Sequence, residues 1–254
     1  MCLCSVRKVL VCNSNLRSFL KVGRKYLSGA KMNYPSNQIH KVQNEALDND
    51  MCLLVDETDK YLGPATKRAC HRVAPDGTLL LHRAFSVLMF NAAGDILLQK
   101  RTSQKITYPN CYTNACCSHP LLINGVQEDV TTAAIRRLKV ELGLSEHQLQ
   151  PRDFTLLARI LYKDPGDGVW GEFELDYILI LQKDVDITPN PNEIAEIEYV
   201  SRNNFDNFIA NLRDPVTPWF KLMCRHMLPH WWDNLHRLEE IAEPQNIRCF
   251  VNKL

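Results

Sequence analysis

No apolar run in this chain approaches the ~20 residues that a membrane-spanning helix needs, so no span is expected. The longest early apolar stretch, Val9 to Cys12, is far shorter than a secretory signal core. Ten glycines and thirteen prolines in 254 residues are too few for a collagenous or low-complexity chain. Net charge is nearly absent too: 30 basic against 29 acidic side chains leave +1, which argues against binding to nucleic acid through a general basic surface. What the chain does have is ten cysteines. It is too long for a disulfide-stapled secreted scaffold, so most of them are expected to be reduced, buried and apolar in behaviour.

Acids are missing from one region entirely. Residues 1–44 carry eight basic side chains and recurrent serines, and the first acid is Glu45. That composition suggests a mitochondrial leader, while the terminal Asn252-Lys253-Leu254 resembles a peroxisomal Ser-Lys-Leu address. The reading is therefore a basic leader (1–44) followed by one domain (45–254), in the cytoplasm or an organelle. Without the leader, 22 basic side chains face 29 acidic ones, a balance of −7.

Along the body, period-two apolar patterns predict strands at Met51–Val55, Phe154–Tyr162, Trp170–Leu181 and Ile197–Val200. A hairpin is expected from Ala84–Phe90 to Ile96–Gln99, with Gly94 in its loop. A helix is expected over Glu128–Leu142, with Val130, Ala134, Leu138 and Leu142 on one stripe and Gly143 as the C-terminal cap. Further helices are expected over Asn204–Leu212, from Thr217-Pro218-Trp219 onward, and over Trp231–Ala242 after a break at Pro229. This order gives a single α/β domain with a mixed sheet.

The densest chemistry lies in Tyr112-Thr113-Asn114-Ala115-Cys116-Cys117-Ser118-His119-Pro120. A cysteine near a histidine can be a thiol–imidazole pair, two metal ligands, or packing alone. Glu172 and Glu174 lie two apart on a strand and so share a face, either solvated or bridged by a cation. The apolar run Tyr177–Leu181 suggests a buried strand, where unpaired carboxylates are costly. His71, His82 and His119 are the nitrogen ligands available to a divalent ion there, and the set suits Zn²⁺, Mn²⁺ or Mg²⁺. His147, His226, His230 and His236 lack such neighbours. Against the pattern G-x5-E-x7-R-E-U-x-E-E-x-G-U, residues Glu128, Arg136, Leu138, Glu141, Gly143 and Leu144 fit. Leu122, Arg137 and Val140 depart from it and remove part of its carboxylate cluster.

Taken together, Leu80–Ser86, Thr113–Pro120, Trp170–Tyr177 and the degenerate box resemble the type I isopentenyl-diphosphate isomerases, a divergent branch of the Nudix superfamily. The resemblance runs from about Met51 to Ala242. It implies a Nudix-like mixed sheet sandwiched between helices, with additional C-terminal helices. By position it implies Cys117 and Glu174 as catalytic residues, with Cys116 as packing, and Tyr162 and Trp219 in the active site. It further implies that His71, His82, His119, Glu172 and Glu174 ligate one divalent metal, and that Glu141 ligates the Mg²⁺ accompanying the diphosphate. Lys67, Arg101, Lys105 and Ser118 would contact the substrate. The implied activity is metal-dependent interconversion of isopentenyl and dimethylallyl diphosphate, a 1,3-allylic proton shift through a carbocation, in isoprenoid biosynthesis. The partner is then a small diphosphate, and a monomer is expected, with a dimer open. Two other classes compete: a Nudix pyrophosphohydrolase of a nucleoside or isoprenoid diphosphate, and a non-catalytic diphosphate-binding domain.

Overall fold

The computed structural model describes residues 41–145 and 147–251. The basic segment before Lys41 and the Asn252-Lys253-Leu254 terminus, with the targeting roles expected of them, lie outside the described residues.

Helix α1 (Lys41–Asn49) leads into β1 (Met51–Val55), which turns back as β2 (Tyr61–Thr66). The Asp56 carboxylate shapes that turn by accepting from the Thr58 and Lys60 amides at 2.9 and 3.0 Å. Thr66 then caps a short helix, α2 (Lys67–His71), its hydroxyl accepting from the Ala69 amide. Strands β3 (His82–Phe90) and β4 (Ile96–Arg101) follow. They form the expected hairpin only at its mouth, Phe90 opposite Ile96. Beyond it they separate, because β5 (Tyr112–Asn114) pairs with β4 and β6 (Cys116–Ser118) pairs with β3, Ser86 opposite Cys117.

A small hairpin, β7 (Leu122–Ile123) with β8 (Val126–Gln127), precedes α3 (Val130–Leu142). This helix starts two residues later than expected. Asp129 is its N-cap, accepting from the Thr131 and Thr132 amides, and Gly143 ends it in the left-handed region at φ 69°. Strands β9 (Phe154–Asp164), β10 (Glu172–Gln182) and β11 (Ile194–Val200) complete the centre. The helices α4 (Phe205–Asn211), α5 (Pro218–His226), α6 (Leu228–Trp232) and α7 (Leu238–Ile241) and strand β12 (Ile247–Cys249) follow. The continuous helix expected over Trp231–Ala242 is not present. Asn234 bonds back to the His230 carbonyl and forward to Arg237, so its side chain competes with the helical ladder.

The main sheet runs β11-β4-β3-β10-β9-β12, with β3–β10 and β9–β12 parallel and the other pairs antiparallel. Its odd-numbered β3 residues, Phe85, Val87 and Met89, pack with Leu179 and Leu181 under α3. The even-numbered Leu88 and Phe90 pack with Ile178 and Ile180 under α5 and α6. The mixed sheet therefore lies between α3 and the added C-terminal helices, as expected. The seven described cysteines are free thiols, five of them buried. Among the described residues, no helix is long and apolar enough to cross a membrane.

The β1–β2 turn is fastened to the sheet by charge. Asp59 bonds Arg83 and Arg159 at 2.9 and 2.8 Å and accepts from the Tyr177 hydroxyl, while both guanidinium groups lie over the Tyr177 ring. Removing the carboxylate strands two largely buried cations. Asp59→Ala is expected to cost about 3 kcal/mol, read as a lowered midpoint in urea unfolding with an unchanged slope.

Candidate active site

Along the face under α5, each central strand is apolar at one end and polar at the other. On β10 the order is Glu172, Glu174, Asp176, Ile178, Ile180, and on β3 it is His82, Ala84, Ser86, Leu88, Phe90. Register puts Glu174 between His82 on β3 and Tyr162 on β9. The polar end is as buried as the apolar end: His82, Ser86, Glu172, Glu174 and Asp176 are all nearly inaccessible.

His71 reaches this end from α2, and His119 from the segment after β6. Together with His82, Glu172 and Glu174 they bring five ligand atoms within 4.8 Å of one another. The ring Nδ1 atoms of His71 and His82 lie 2.9 Å from the Lys67 and Leu80 carbonyls, which fixes them as N–H donors. The Nε2 lone pairs are left facing inward, the orientation expected of metal-binding imidazoles. His71 Nε2 then meets Glu172 Oε2 at 3.1 Å, lone pair against carboxylate. His82 Nε2 and Glu172 Oε2 are buried without a hydrogen-bond partner. A cation at the centre satisfies every one of these atoms, so the residues fit a divalent metal.

The electrostatics agree. Burial, then the charge of His82, holds His71 well below its ordinary pKa, and burial likewise lowers His119. Burial opposes the charged form of His82 as well, but the facing Glu174 carboxylate outweighs it and raises His82 to about 9. Glu172 is pushed up by burial and by the charge of Glu174. Glu174 itself is held low because His119 and His82 outweigh its burial.

Cys117 stands on the same face two strands away. Its Sγ lies 3.0 Å from Asn114 Oδ1, 3.5 Å from Ser86 Oγ and 3.0 Å from the Trp219 indole nitrogen, which donates to it. Burial, with the charge of Asp176, pushes the thiol up to about 12, so it stays protonated at neutral pH. Tyr162 donates to Glu174 Oε2 at 2.5 Å. Cys116, its neighbour in sequence, packs on the opposite face under α3.

The expected substrate cations are partly gathered. Lys67, Arg101 and Lys105 line one small cavity with His71. Ser118 is not among its lining residues, and its register with Phe85 places it on the α3 face. Lys105 pairs with Glu193 at 2.6 Å, and Arg137 bridges Glu193 at 3.4 Å to Glu141 at 2.7 Å. Gln99 donates to the other oxygen of Glu141. Glu128 and Arg136, which do fit the box, form a two-toothed ion pair that also grips the Leu121 amide and the His119 carbonyl. They hold the segment that delivers His119.

A NUDIX domain model matches residues 80–220. A Deinococcus radiodurans crystal structure aligns with a TM-score of 0.51 at 18% identity, over 70% of this chain and 99% of that one, a likeness of fold. Among curated proteins, "Isopentenyl-diphosphate Delta-isomerase 1" of Mesocricetus auratus is 44% identical over 206 residues, 78% of this chain and 91% of that protein. The chain belongs to the isopentenyl-diphosphate Delta-isomerase family, within NUDIX. A Gibberella zeae relative of the same name class is 42% identical over 82% of this chain and 86% of its own length. "Isopentenyl-diphosphate Delta-isomerase II, chloroplastic" of Arabidopsis thaliana is also 42% identical, over 77% of this chain.

Within this family framework, sequence reasoning gave no role to Asp176, Ser86, Asn114, Arg137 or Glu193. Asp176 was findable, since it continues the alternation of Glu172 and Glu174. Its Oδ2 accepts from Ser86 at 2.8 Å, its Oδ1 is unpartnered, and burial pushes its carboxyl well up. Glu193 had no local signal, because its partners lie 56 or more residues away. The purified chain is expected to hold one divalent ion at pH 7.5 by elemental analysis, and His119→Ala to lose it. Chelation is expected to lower the melting temperature, since a ligand at a thousand times its Kd adds about 4 kcal/mol.

Proposed function

We propose that the chain interconverts isopentenyl and dimethylallyl diphosphate, and that Cys117 and Glu174 carry the two proton transfers. One observation carries this reading over hydrolysis. Where the Nudix box places a glutamate, Arg137 occupies Glu141, and Val140 replaces the adjacent one. The carboxylate cluster of a hydrolase is therefore broken, while a protonated, half-buried thiol and a tyrosine-bonded glutamate share one sheet face.

An unactivated alkene is a very weak base, so protonating it to a tertiary carbocation is the difficult step. Cys117 holds its proton at neutral pH, and Tyr162 binds Glu174 from the side away from the imidazoles. The two groups sit on either side of β3, so each can address a different carbon of a C5 unit. A divalent ion, of Zn²⁺, Mn²⁺ or Mg²⁺ type, would hold Glu174 in place and tune its acidity. Trp219 offers its π face to the cation, worth about 0.5–2 kcal/mol, and its N–H bonds to Thr113 and Cys117 fix the ring. That is small against the 8–23 kcal/mol by which enzymes typically lower barriers, so positioning and water exclusion supply most of the effect. Lys67, Arg101 and Lys105 are the proposed diphosphate donors, with Ser118 from the other face, and Glu141 is the proposed ligand of the diphosphate's Mg²⁺. The basic segment before Glu45 is proposed as a mitochondrial address and the terminal Asn252-Lys253-Leu254 as a competing peroxisomal one, flanking a domain proposed to be a monomer or a dimer.

With the metal-loaded enzyme in D₂O, deuterium is expected to enter both diphosphates. Cys117→Ala and Glu174→Gln are each expected to lower turnover at least a thousand-fold. Phosphate release that survives Cys117→Ala would instead establish a hydrolase.

A further inference from the structure

We infer that Tyr108 is a positioning residue that, through Asp164, latches the 102–111 loop in place along the cationic cavity and steadies the ring of Trp219. The inference rests on the isomerase reading above. This loop joins β4 to β5 and carries Lys105 and Thr107. Its base is closed by the Arg101 amide bonded to the Cys111 carbonyl at 2.9 Å. The Arg101 guanidinium grips its far limb, donating to the Thr107 and Tyr108 carbonyls at 2.8 and 3.2 Å.

Tyr108 sits in the left-handed backbone region, φ 48°, and Asn110 follows at 60°. An aromatic residue keeps such a backbone only where its surroundings over-determine it. Two contacts do so. The Tyr108 ring stands edge-on to Trp219, centroids 5.2 Å apart at 87°. Its hydroxyl donates to Asp164 Oδ1 at 2.5 Å. The acceptor is itself immobilised, because the same oxygen takes the Gly166 amide at 2.8 Å. Gly166 has φ 58°, and a Cβ there would stand 1.9 Å from the Trp170 carbonyl oxygen, so the turn that presents Asp164 is restricted to glycine at this point.

Lys105, Ile106 and Thr107 of this loop line the cavity with Lys67, His71 and Arg101, and Tyr108 packs on the buried Trp219. The latched loop is therefore the binding-competent arrangement, and its population enters the apparent affinity. A phenylalanine at 108 keeps the ring against Trp219 but removes the latch, which makes the two roles separable.

The test uses the full chain loaded with metal, assayed for isomerisation and, without substrate, for amide hydrogen exchange. Tyr108→Phe and Asp164→Ala are each expected to raise KM roughly ten-fold with kcat within about three-fold, and the double variant to be no worse than either single one. Tyr108→Ala, which also removes the ring, is expected to lower kcat as well. Exchange across 102–111 is expected to quicken in Tyr108→Phe while β3 and β10 amides stay protected. A merely structural role would lower kcat through loss of folded enzyme and leave KM unmoved. The latch is overturned if KM stays within two-fold, if the effects add, or if loop exchange is unchanged. A wild-type chain without isomerase activity would refute the isomerase reading instead, while the exchange comparison still decides the latch.

Discussion

Three carboxylates on one buried strand face, Glu172, Glu174 and Asp176, set the condition that the surrounding structure answers. At the inaccessible end of a sheet, like charges so close are tolerated only with compensation. Different elements supply it. The imidazoles of His71, His82 and His119 converge on the first two, each from a separate segment, and the Tyr162 hydroxyl takes the remaining oxygen of Glu174. Asp176 lies beyond their reach and is answered by Ser86 and a raised pKa. Local structure follows from this convergence: Thr66 caps the turn of helix that aims His71, and the Glu128–Arg136 pair clamps the segment that brings His119.

The same logic governs the cationic side. A body of −7 has to receive an anion, so its field must be reversed locally. The proposed donors Lys67, Arg101 and Lys105 converge on one cavity, and burying cations together raises its own cost. Burial depresses Lys105, and Glu193 offsets this by pairing with both Lys105 and Arg137. Glu193 thus acts as a fixed counter-charge that lets several cations share a small space before an anion arrives.

Much of this was legible in the chain because it is encoded at short range. Asp129 and Gly143 bracket α3 by capping chemistry, and the period-two spacing of Glu172 and Glu174 predicts their common face. Cys116 and Cys117 divide between the two faces of the sheet for the same reason. What escaped was non-local. The β3–β4 hairpin opens because β5 and β6, some twenty residues away, insert into the gap. The Trp231–Ala242 periodicity is real, but Asn234 and the Trp232 bond to the Gly94 carbonyl override it. Arg137 was visible as a departure from a motif, yet only the fold shows it bound to the surviving Glu141.

That departure explains how one superfamily frame can support different chemistry. A helix bearing adjacent glutamates gathers metal ions around a phosphate chain, which suits hydrolysis. Here the guanidinium of Arg137 neutralises Glu141, and Val140 faces solvent, so negative charge is withdrawn from α3. Negative charge is concentrated instead on β10, across the sheet and close to Cys117 and Trp219. On the proposed site, displacing the carboxylates from the helix to the strand moves the reactive centre away from the phosphates and toward the rings of Tyr162 and Trp219. A proton can be delivered to carbon there only if water is kept out, and the near-complete burial of Trp219, Tyr162 and Glu174 meets that requirement.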